Sequence, residues 1–442
     1  MAQTTTSMCI ETGKPVIPSG TARLVFTDWL YIAAVGVVLF WALNPFVLDL
    51  ARHPVIRWFP LLLVVPAVAL GWVGRRINAM TLSSHRQHDL LMLMWPLLAF
   101  GAMALAGSLY ARWWRQIGET FMNMGLFVLL GGWVTAWFIL TTKASLNFLR
   151  SLSVVALLWA AVSLFSALLL FPKEEIYHSL EHLVIPVLAL PFLNMRGLTW
   201  RAASLLLPIL AALALHKLTG YLILLLVLGL ITGDFVLARM RREDRLHRRA
   251  AIGYGAVLGG ALAAALVVGT YVATKSRLPD GNAVFRLHTY ERAFDRFLES
   301  PIWGRMFLES AVDRFELFTV ASSTQFLPTH SDWLDIMANG GLIATLLFFG
   351  GCIRLLWIAV RTLLDPEPWC RRDSLRVLCI LHVMIVVTGL VVCALNPVLN
   401  NTSRAWAFWI NVGILVAITV MARETCLDAK RAPDPYLLSR RT

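Results

Sequence analysis

Apolar runs long enough to cross a bilayer recur along this chain from Asp28 to Met421. A helix needs roughly 20 such residues to traverse the hydrocarbon core, where its backbone N–H and C=O groups must be paired within the segment itself. Only 15% of the residues are charged and 58% are hydrophobic, against roughly 25% charged in a soluble domain. A soluble enzyme is excluded. Windows of spanning length fall near 29–48, 57–74, 91–111, 120–141, 152–171, 176–195, 201–215, 219–238, 251–273, 332–360, 374–396 and 405–422. The expected fold is all-α, a polytopic membrane protein with about twelve transmembrane helices. Pro186, Pro191 and Pro208 interrupt the sixth and seventh windows, where a re-entrant pair competes with two full crossings.

The formal net charge of +13 is explained by topology. Lys and Arg collect in cytoplasmic loops, where they also meet anionic lipid, so no nucleic-acid partner is implied. An inside amino terminus puts Arg75, Arg76 and Arg86 in one cytoplasmic loop and Lys143 and Arg150 in the next. The run Arg239 to Arg249, then Arg361, Arg371, Arg372 and Arg376, and finally Lys430, Arg431, Arg440 and Arg441 fall on the same side. The resulting division is a cytoplasmic tail 1–27, spans one to nine over 28–274, a periplasmic loop 275–331, spans ten to twelve over 332–422 and a cytoplasmic tail 423–442. The tail 1–27 lacks the apolar core of a signal peptide. The six cysteines, in or beside apolar segments or in the tails, form neither a CxxC pair nor a metal-ligand spacing.

The loop from Lys275 to Ser331 is the one extramembrane segment large enough to build a site. Leu287, Tyr290, Phe294, Phe297 and Leu298 recur at helical spacing, with Arg286, Arg292, Asp295, Arg296 and Glu299 on other faces. This amphipathic helix should stop at Ser300-Pro301, because proline disfavours helical geometry in the residue before it. Met306, Phe307, Ala311, Val312, Phe315 and Leu317 predict a second one. Two such helices lying on the membrane surface would roof a cavity open to lipid and water, as a lipid-linked substrate requires.

The loop ends Thr329-His330-Ser331-Asp332-Trp333-Leu334, then Asn339-Gly340-Gly341-Leu342 leads into a span. Upstream, Arg286 precedes Pro301 and Gly304 in RLHTYERAFDRFLESPIWG. These stretches resemble the O-antigen ligase and polymerase superfamily, whose outer loop carries an arginine, a Pro-x-x-Gly turn and a His-Asn-x-x-Leu run ending in glycine. Here Ser331 stands where the family has Asn, and Ala344 where it has its last glycine. The family's Ser-Arg pair has its nearest counterpart in His216-Lys217.

The resemblance implies glycosyl transfer from an undecaprenyl-pyrophosphate-linked glycan to a sugar hydroxyl, which for a ligase belongs to the lipid A core oligosaccharide. The leaving diphosphate must be stabilised by cations in a partly dry site, a task that fits Arg286 and Lys217. The acceptor hydroxyl must lose a proton, which a histidine can accept near neutral pH; His330 is the candidate base. Arg277 and Arg292 are further candidates for contacting the substrate, and together with Arg296 and Arg305 they also read as solvated faces or lipid anchors. With neither Asp-x-Asp nor carboxylates in metal-binding spacing on the outer face, the expected reaction needs no metal and no cofactor. A bacterial inner-membrane site facing the periplasm follows, with membrane lipids as surroundings.

Rival readings share the layout. An O-antigen polymerase or a protein O-oligosaccharyltransferase differs in acceptor alone, and a lipid-linked glycan flippase or transporter would place charges mid-membrane in two related halves. His178-Ser-Leu-Glu181-His182 matches the H-x-x-E-H zinc-peptidase pattern. It sits at an outer helix start without a third ligand in clear helical context, and Glu174 and Glu175 suggest an ordinary acidic first turn; contact with acceptor sugar ranks above a metal site. Trp113, Trp114 and Trp303 suit an interfacial aromatic belt.

Overall fold

The computed structural model describes residues 23–47, 59–77, 82–115, 121–170, 180–194, 203–215, 217–240, 281–308, 331–364, 373–399 and 402–431. Every regular element among them is helical. Helices α1 (Phe26–Val47), α2 (Phe59–Ile77) and α3 (Ser84–Arg115) come first. α4 (Met122–Phe127) and α5 (Val134–Thr141) are joined by a π-helical stretch, Val128–Trp133, into one rod. α6 (Ser145–Phe165) is followed by the short helices α7 (Glu181–Leu188), α8 (Leu190–Asn194) and α9 (Leu206–Leu215), and then by α10 (Leu218–Met240). Finally come α11 (Gly281–Glu299), α12 (Asp332–Leu364), α13 (Asp373–Leu395) and α14 (Thr402–Arg431).

Six helices among the described residues are long and apolar enough to span a membrane: Ser84–Tyr110, Met122–Thr141, Ser145–Leu169, Asp332–Leu364, Ser374–Leu395 and Arg404–Glu424. Five shorter apolar helices accompany them, at Phe26–Phe40, Leu62–Gly74, Glu181–Leu193, Leu206–Leu215 and Thr219–Asp234. Each coincides with one of the twelve expected windows, and the remaining window, 251–273, lies outside the described residues. Of the sixth and seventh windows the described residues are 180–194 and 203–215. Pro186 lies inside α7 and Pro191 at the start of α8, with a break at Ala189 between them, whereas Pro208 lies within α9 and does not interrupt it.

The core is a column of two helices. The spanning window of α14 is entirely buried and that of α13 is 83% buried, whereas only 33% of α12 is covered. Leu346, Ile353 and Trp357 of α12 and Leu158 and Phe165 of α6 face outward, as lipid-contacting side chains do. Small residues let the π-helical stretch approach α14: a Cβ on Gly131 would come within 2.8 Å of Trp409 Cβ.

The two ends of the bundle differ in chemistry. At one end, Arg86 at the start of α3 bonds Glu424 near the end of α14 at 2.7 Å and the Leu140 carbonyl at 3.0 Å. Arg423 reaches Asp89 at 3.2 Å, Arg376 pairs with Asp234, and Arg150 bonds Ser374 at 3.1 Å. Of the basic residues assigned to a common side by charge, Arg86, Arg150 and Arg376 share this end. The opposite end carries the starts of α7, α10, α12 and α14 and the ends of α9 and α13, and α11 packs there against α12.

The amphipathic helix of the outer loop exists as α11 and ends at Glu299, before Ser300-Pro301. Its Ala293 is buried against Ala338 and Leu334 of α12, while Phe294 and Leu298 stay exposed. The second expected helix does not start at Met306. Residues 301–308 form consecutive turns, and Met306 and Phe307 have φ of 53° and 59°, a left-handed geometry that no α-helix of L-residues contains. Periodicity was misleading there because Phe307 is a plug rather than part of a stripe. It is buried edge-on against Phe100 and Phe121 of the bundle. The rest of that expected helix, 309–317, lies outside the described residues.

Candidate functional site

The motif glycines meet in space. The turn after Pro301 docks on a kink in α12, where Gly341 adopts φ 62° and ψ −164° inside the helix. Beyond that kink the helix restarts, and its first N–H groups lack intrahelical acceptors. Leu342 N donates to Pro301 O at 2.8 Å and Ile343 N to Ile302 O at 3.2 Å, while Phe307 N donates back to Asn339 O at 3.0 Å. Gly304, φ 59°, lies so close that a Cβ on either glycine would come within 2.5 Å of the other's amide nitrogen. The Pro-x-x-Gly turn and the Asn-Gly-Gly kink are two halves of one joint.

The start of α12 explains the departure at Ser331. Its hydroxyl accepts from Leu334 N at 3.4 Å and its carbonyl from Asp335 N at 3.1 Å, so it caps the helix. Asn and Ser are both favoured N-caps; the exchange keeps the task. Leu334, the motif leucine, packs against α11.

Between α13 and α14, the turn Leu395–Leu399 gathers three distant side chains. Arg286 of α11 donates to Leu395 O at 3.3 Å, and Arg404 of α14 donates to Pro397 O at 3.2 Å. Asp332 Oδ2, fully buried, accepts from Val398 N at 2.6 Å and Leu399 N at 2.8 Å. The turn offers its carbonyls to two cations and its amides to one carboxylate. Arg286 Nε is buried without a hydrogen-bond partner among the described residues.

Tyr290, one helical turn on from Arg286 in α11, is part of the same environment. Burial pushes its phenol above the ordinary range, Arg286 draws it down, and Asp335 pushes it up. Glu181, at the start of α7, has no solvent exposure. The charges of Arg404 and, less strongly, Lys217 act on its carboxylate. Lys217 sits in the bend before α10, part-buried.

Of the expected residues, Arg286 reaches the turn that Arg404 also reaches, while Lys217 acts, with Arg404, on the Glu181 carboxylate. Arg292 is part-buried in α11, six residues beyond Arg286, which turns it about 240° around the helix to another face. Arg305 pairs with Glu299 in an exposed bridge, as expected of a solvated face. His330 and Arg277 lie outside the described residues, as do His178 and His216. His330 immediately precedes Ser331, the helix cap just described. Among the described residues no three His, Cys, Asp or Glu side chains are grouped as metal ligands.

Sequence reasoning missed Arg404. Its signal was an arginine in the short connection NPVLNNTSRAW, on the face that the expected topology leaves poor in Lys and Arg. Glu181 stands out in the sequence through the H-x-x-E-H pattern and as a carboxylate leading a proline-broken apolar run.

Residues 203–349 match the family model described as O-antigen ligase. The match spans α9 to the first half of α12, including Lys217, Arg286 and the glycine joint. It supports the O-antigen ligase and polymerase superfamily, the family that the outer-loop motifs resemble. Among curated proteins the chain has no match.

Proposed function

With residues 203–349 placed in the O-antigen ligase and polymerase superfamily, we propose that this protein is an inner-membrane glycosyltransferase. It moves an O-antigen glycan from undecaprenyl pyrophosphate to a hydroxyl of lipid A core oligosaccharide on the periplasmic face. The observation that carries this reading is the turn 395–399, whose carbonyls accept from both Arg286 and Arg404 and whose amides tie down Asp332 of the histidine motif.

The acceptor oxygen attacks the anomeric carbon as the bond from that carbon to the diphosphate oxygen breaks. The electron pair leaves with undecaprenyl diphosphate, and the acceptor proton passes to His330. Arg286 and Lys217, with Arg404, face the growing negative charge of the leaving group; one preorganised donor contributes on the order of 10²–10³ in rate. A positioned base contributes on the order of 10²–10⁴. No metal is required by this division of labour.

The test is reconstitution. Purified protein in liposomes should join carrier-linked glycan to lipid A core without nucleotide and in the presence of EDTA. His330→Ala should abolish transfer with expression and membrane insertion intact; near-normal transfer by that variant would overturn the mechanism. The same family match supports a polymerase, whose acceptor is a further carrier-linked glycan. Deletion separates the two: loss of a ligase leaves the core uncapped, and loss of a polymerase leaves single-repeat caps.

A further inference from the structure

Ionisable side chains are rare within membrane spans, and those present face the bundle interior or a cavity. His382 of α13 does both. It is 4% exposed and lines a cavity enclosed by α1, α6, α7, α13 and α14. Asn411 of α14 and Ser153 of α6 line the same cavity, and its other eleven lining residues are apolar, Leu183, Val187 and Ile385 among them. By helical rise, each of the three polar residues lies roughly 10 Å or more from either end of its span.

Hydrogen bonds fix which atoms remain for a ligand. Asn411 Nδ2 donates to Ala407 O at 2.7 Å, so its Oδ1, which can only accept, is the atom 2.9 Å from His382 Nδ1. Nδ1 therefore carries the ring hydrogen. Among the described residues no carboxylate lines the cavity to balance a charged ring, so the imidazole is neutral. With Nδ1 turned to Asn411, Nε2 is the ring nitrogen left for the cavity, and it has no hydrogen-bond partner among the described residues. Ser153 gives its hydrogen to Leu149 O at 2.9 Å, and its oxygen can still accept. Two acceptors, Nε2 and Ser153 Oγ, are thus short of a donor.

Size and chemistry together select the occupant. The cavity holds about 30 Å³, more than the roughly 10–15 Å³ that one water needs and about a tenth of a small ligand pocket. A hydrocarbon chain would leave both acceptors bare, and a cation would find no carboxylate. A water brings two hydrogens. We propose that this cavity is a water-binding site in the middle of the membrane, where a bound water donates to His382 Nε2 and to Ser153 Oγ. That water ties α6 to the column of α13 and α14, at a depth where the bilayer has no water to satisfy a polar group.

The experiment is X-ray hydroxyl-radical footprinting of the full-length protein in nanodiscs, read by mass spectrometry. Radicals formed from a bound water oxidise the side chains beside it. Ile385 and Leu183 of the cavity wall should be oxidised severalfold more than Leu158 and Ile353, which face outward at 62% exposure each. Ser153→Ala should lower that oxidation by up to about fivefold, the worth of one neutral hydrogen bond. His382→Leu removes the ring nitrogen and should bring Ile385 to the level of Leu158. Equal oxidation of Ile385 and Leu158 in the unsubstituted protein overturns the site. Oxidation of Ile385 that stays unchanged in the folded variants overturns it as well, because the water is then held by other groups. If His382→Leu fails to fold in a thermal melt, Ser153→Ala carries the test, since it takes away one hydroxyl and keeps the helix. Transfer activity enters none of these readouts, so the water site and the glycosyl-transfer reading stand or fall separately.

Discussion

Gly341→Ala is the sharpest perturbation of the joint that shapes the site. The native φ of 62° and ψ of −164° belong to a region essentially restricted to glycine, where another residue costs about 1–3 kcal/mol. The new Cβ would sit 2.5 Å from Gly304 N, so the turn 301–308 must move away. That movement breaks the bonds from Leu342 N to Pro301 O and from Ile343 N to Ile302 O, each worth about 1 kcal/mol net. Together these disfavour the docked state by about 3–5 kcal/mol, roughly a hundredfold to a few thousandfold in its equilibrium constant. Amide hydrogen exchange in nanodiscs reads this directly, as faster exchange in peptides covering Leu342 and Ile343. Gly350→Ala is the internal control: it lies in the same helix, and its Cβ would meet nothing within 4 Å. That change should be neutral or stabilise by up to ~1 kcal/mol. If Gly341→Ala keeps native protection at Leu342 and full transfer activity, the joint does not depend on glycine and the reasoning is wrong.

Three further outcomes are expected. Arg286→Ala should lower kcat/KM in the transfer assay by about 10²–10³; Arg286→Lys should recover only part, because an ammonium lacks the planar fork that can serve Leu395 O and a phosphate together, and full recovery would show that a point charge suffices. Asp332→Ala should leave Val398 N and Leu399 N without their acceptor and lower stability by about 3 kcal/mol, read as a fall in Tm, with Asp332→Asn falling less. Tyr290, its phenol raised chiefly by burial, binds its proton more tightly when folded; its contribution to stability is complete below its ordinary pKa of 10.0 and is lost as pH rises through the higher folded value. Tyr290→Phe should therefore flatten the alkaline fall in Tm above pH 10, and an unchanged fall would exclude Tyr290 as its source.

Much of the architecture was legible because the bilayer leaves few options: apolar length marked the helices, and Arg86, Arg150 and Arg376, grouped by charge, do share an end. Proline also reported faithfully, ending α11 at Glu299 and breaking the chain at Ala189. The failure at Met306 and Phe307 was a failure of period. A buried aromatic in a left-handed turn scores the same as one on a helix face when only spacing is read. Arg286 was singled out by a motif and Lys217 as the counterpart of a family pair; of the two, Arg286 reaches the turn 395–399. Arg404 was hidden by sequence distance, since nothing in residues 286 and 404 records that both reach one turn. Ser331 and Gly341 carried legible motifs whose immediate task is structural, a cap and a kink that set the loop bearing Arg286 against the span following His330.

The contrast between the two ends of the bundle bears on how a membrane enzyme keeps usable charge. At the end carrying Arg86, cations are paired with carboxylates: Arg86 with Glu424, Arg423 with Asp89, Arg376 with Asp234. Such pairs neutralise one another and hold helices together. At the opposite end Arg286 and Arg404 are each oriented by a backbone carbonyl of one turn. A carbonyl fixes a guanidinium in place without cancelling its charge, and fixed charge in a partly dry site is what stabilises a developing anion without reorganisation. Asp332, the nearby carboxylate, directs its Oδ2 at the amides of the same turn. The turn anchors the acid through N–H and the bases through C=O, while Arg404 also interacts with the Asp332 and Glu181 carboxylates. Under the proposed function, Arg286 is then the cation of this turn best placed to meet the diphosphate head group.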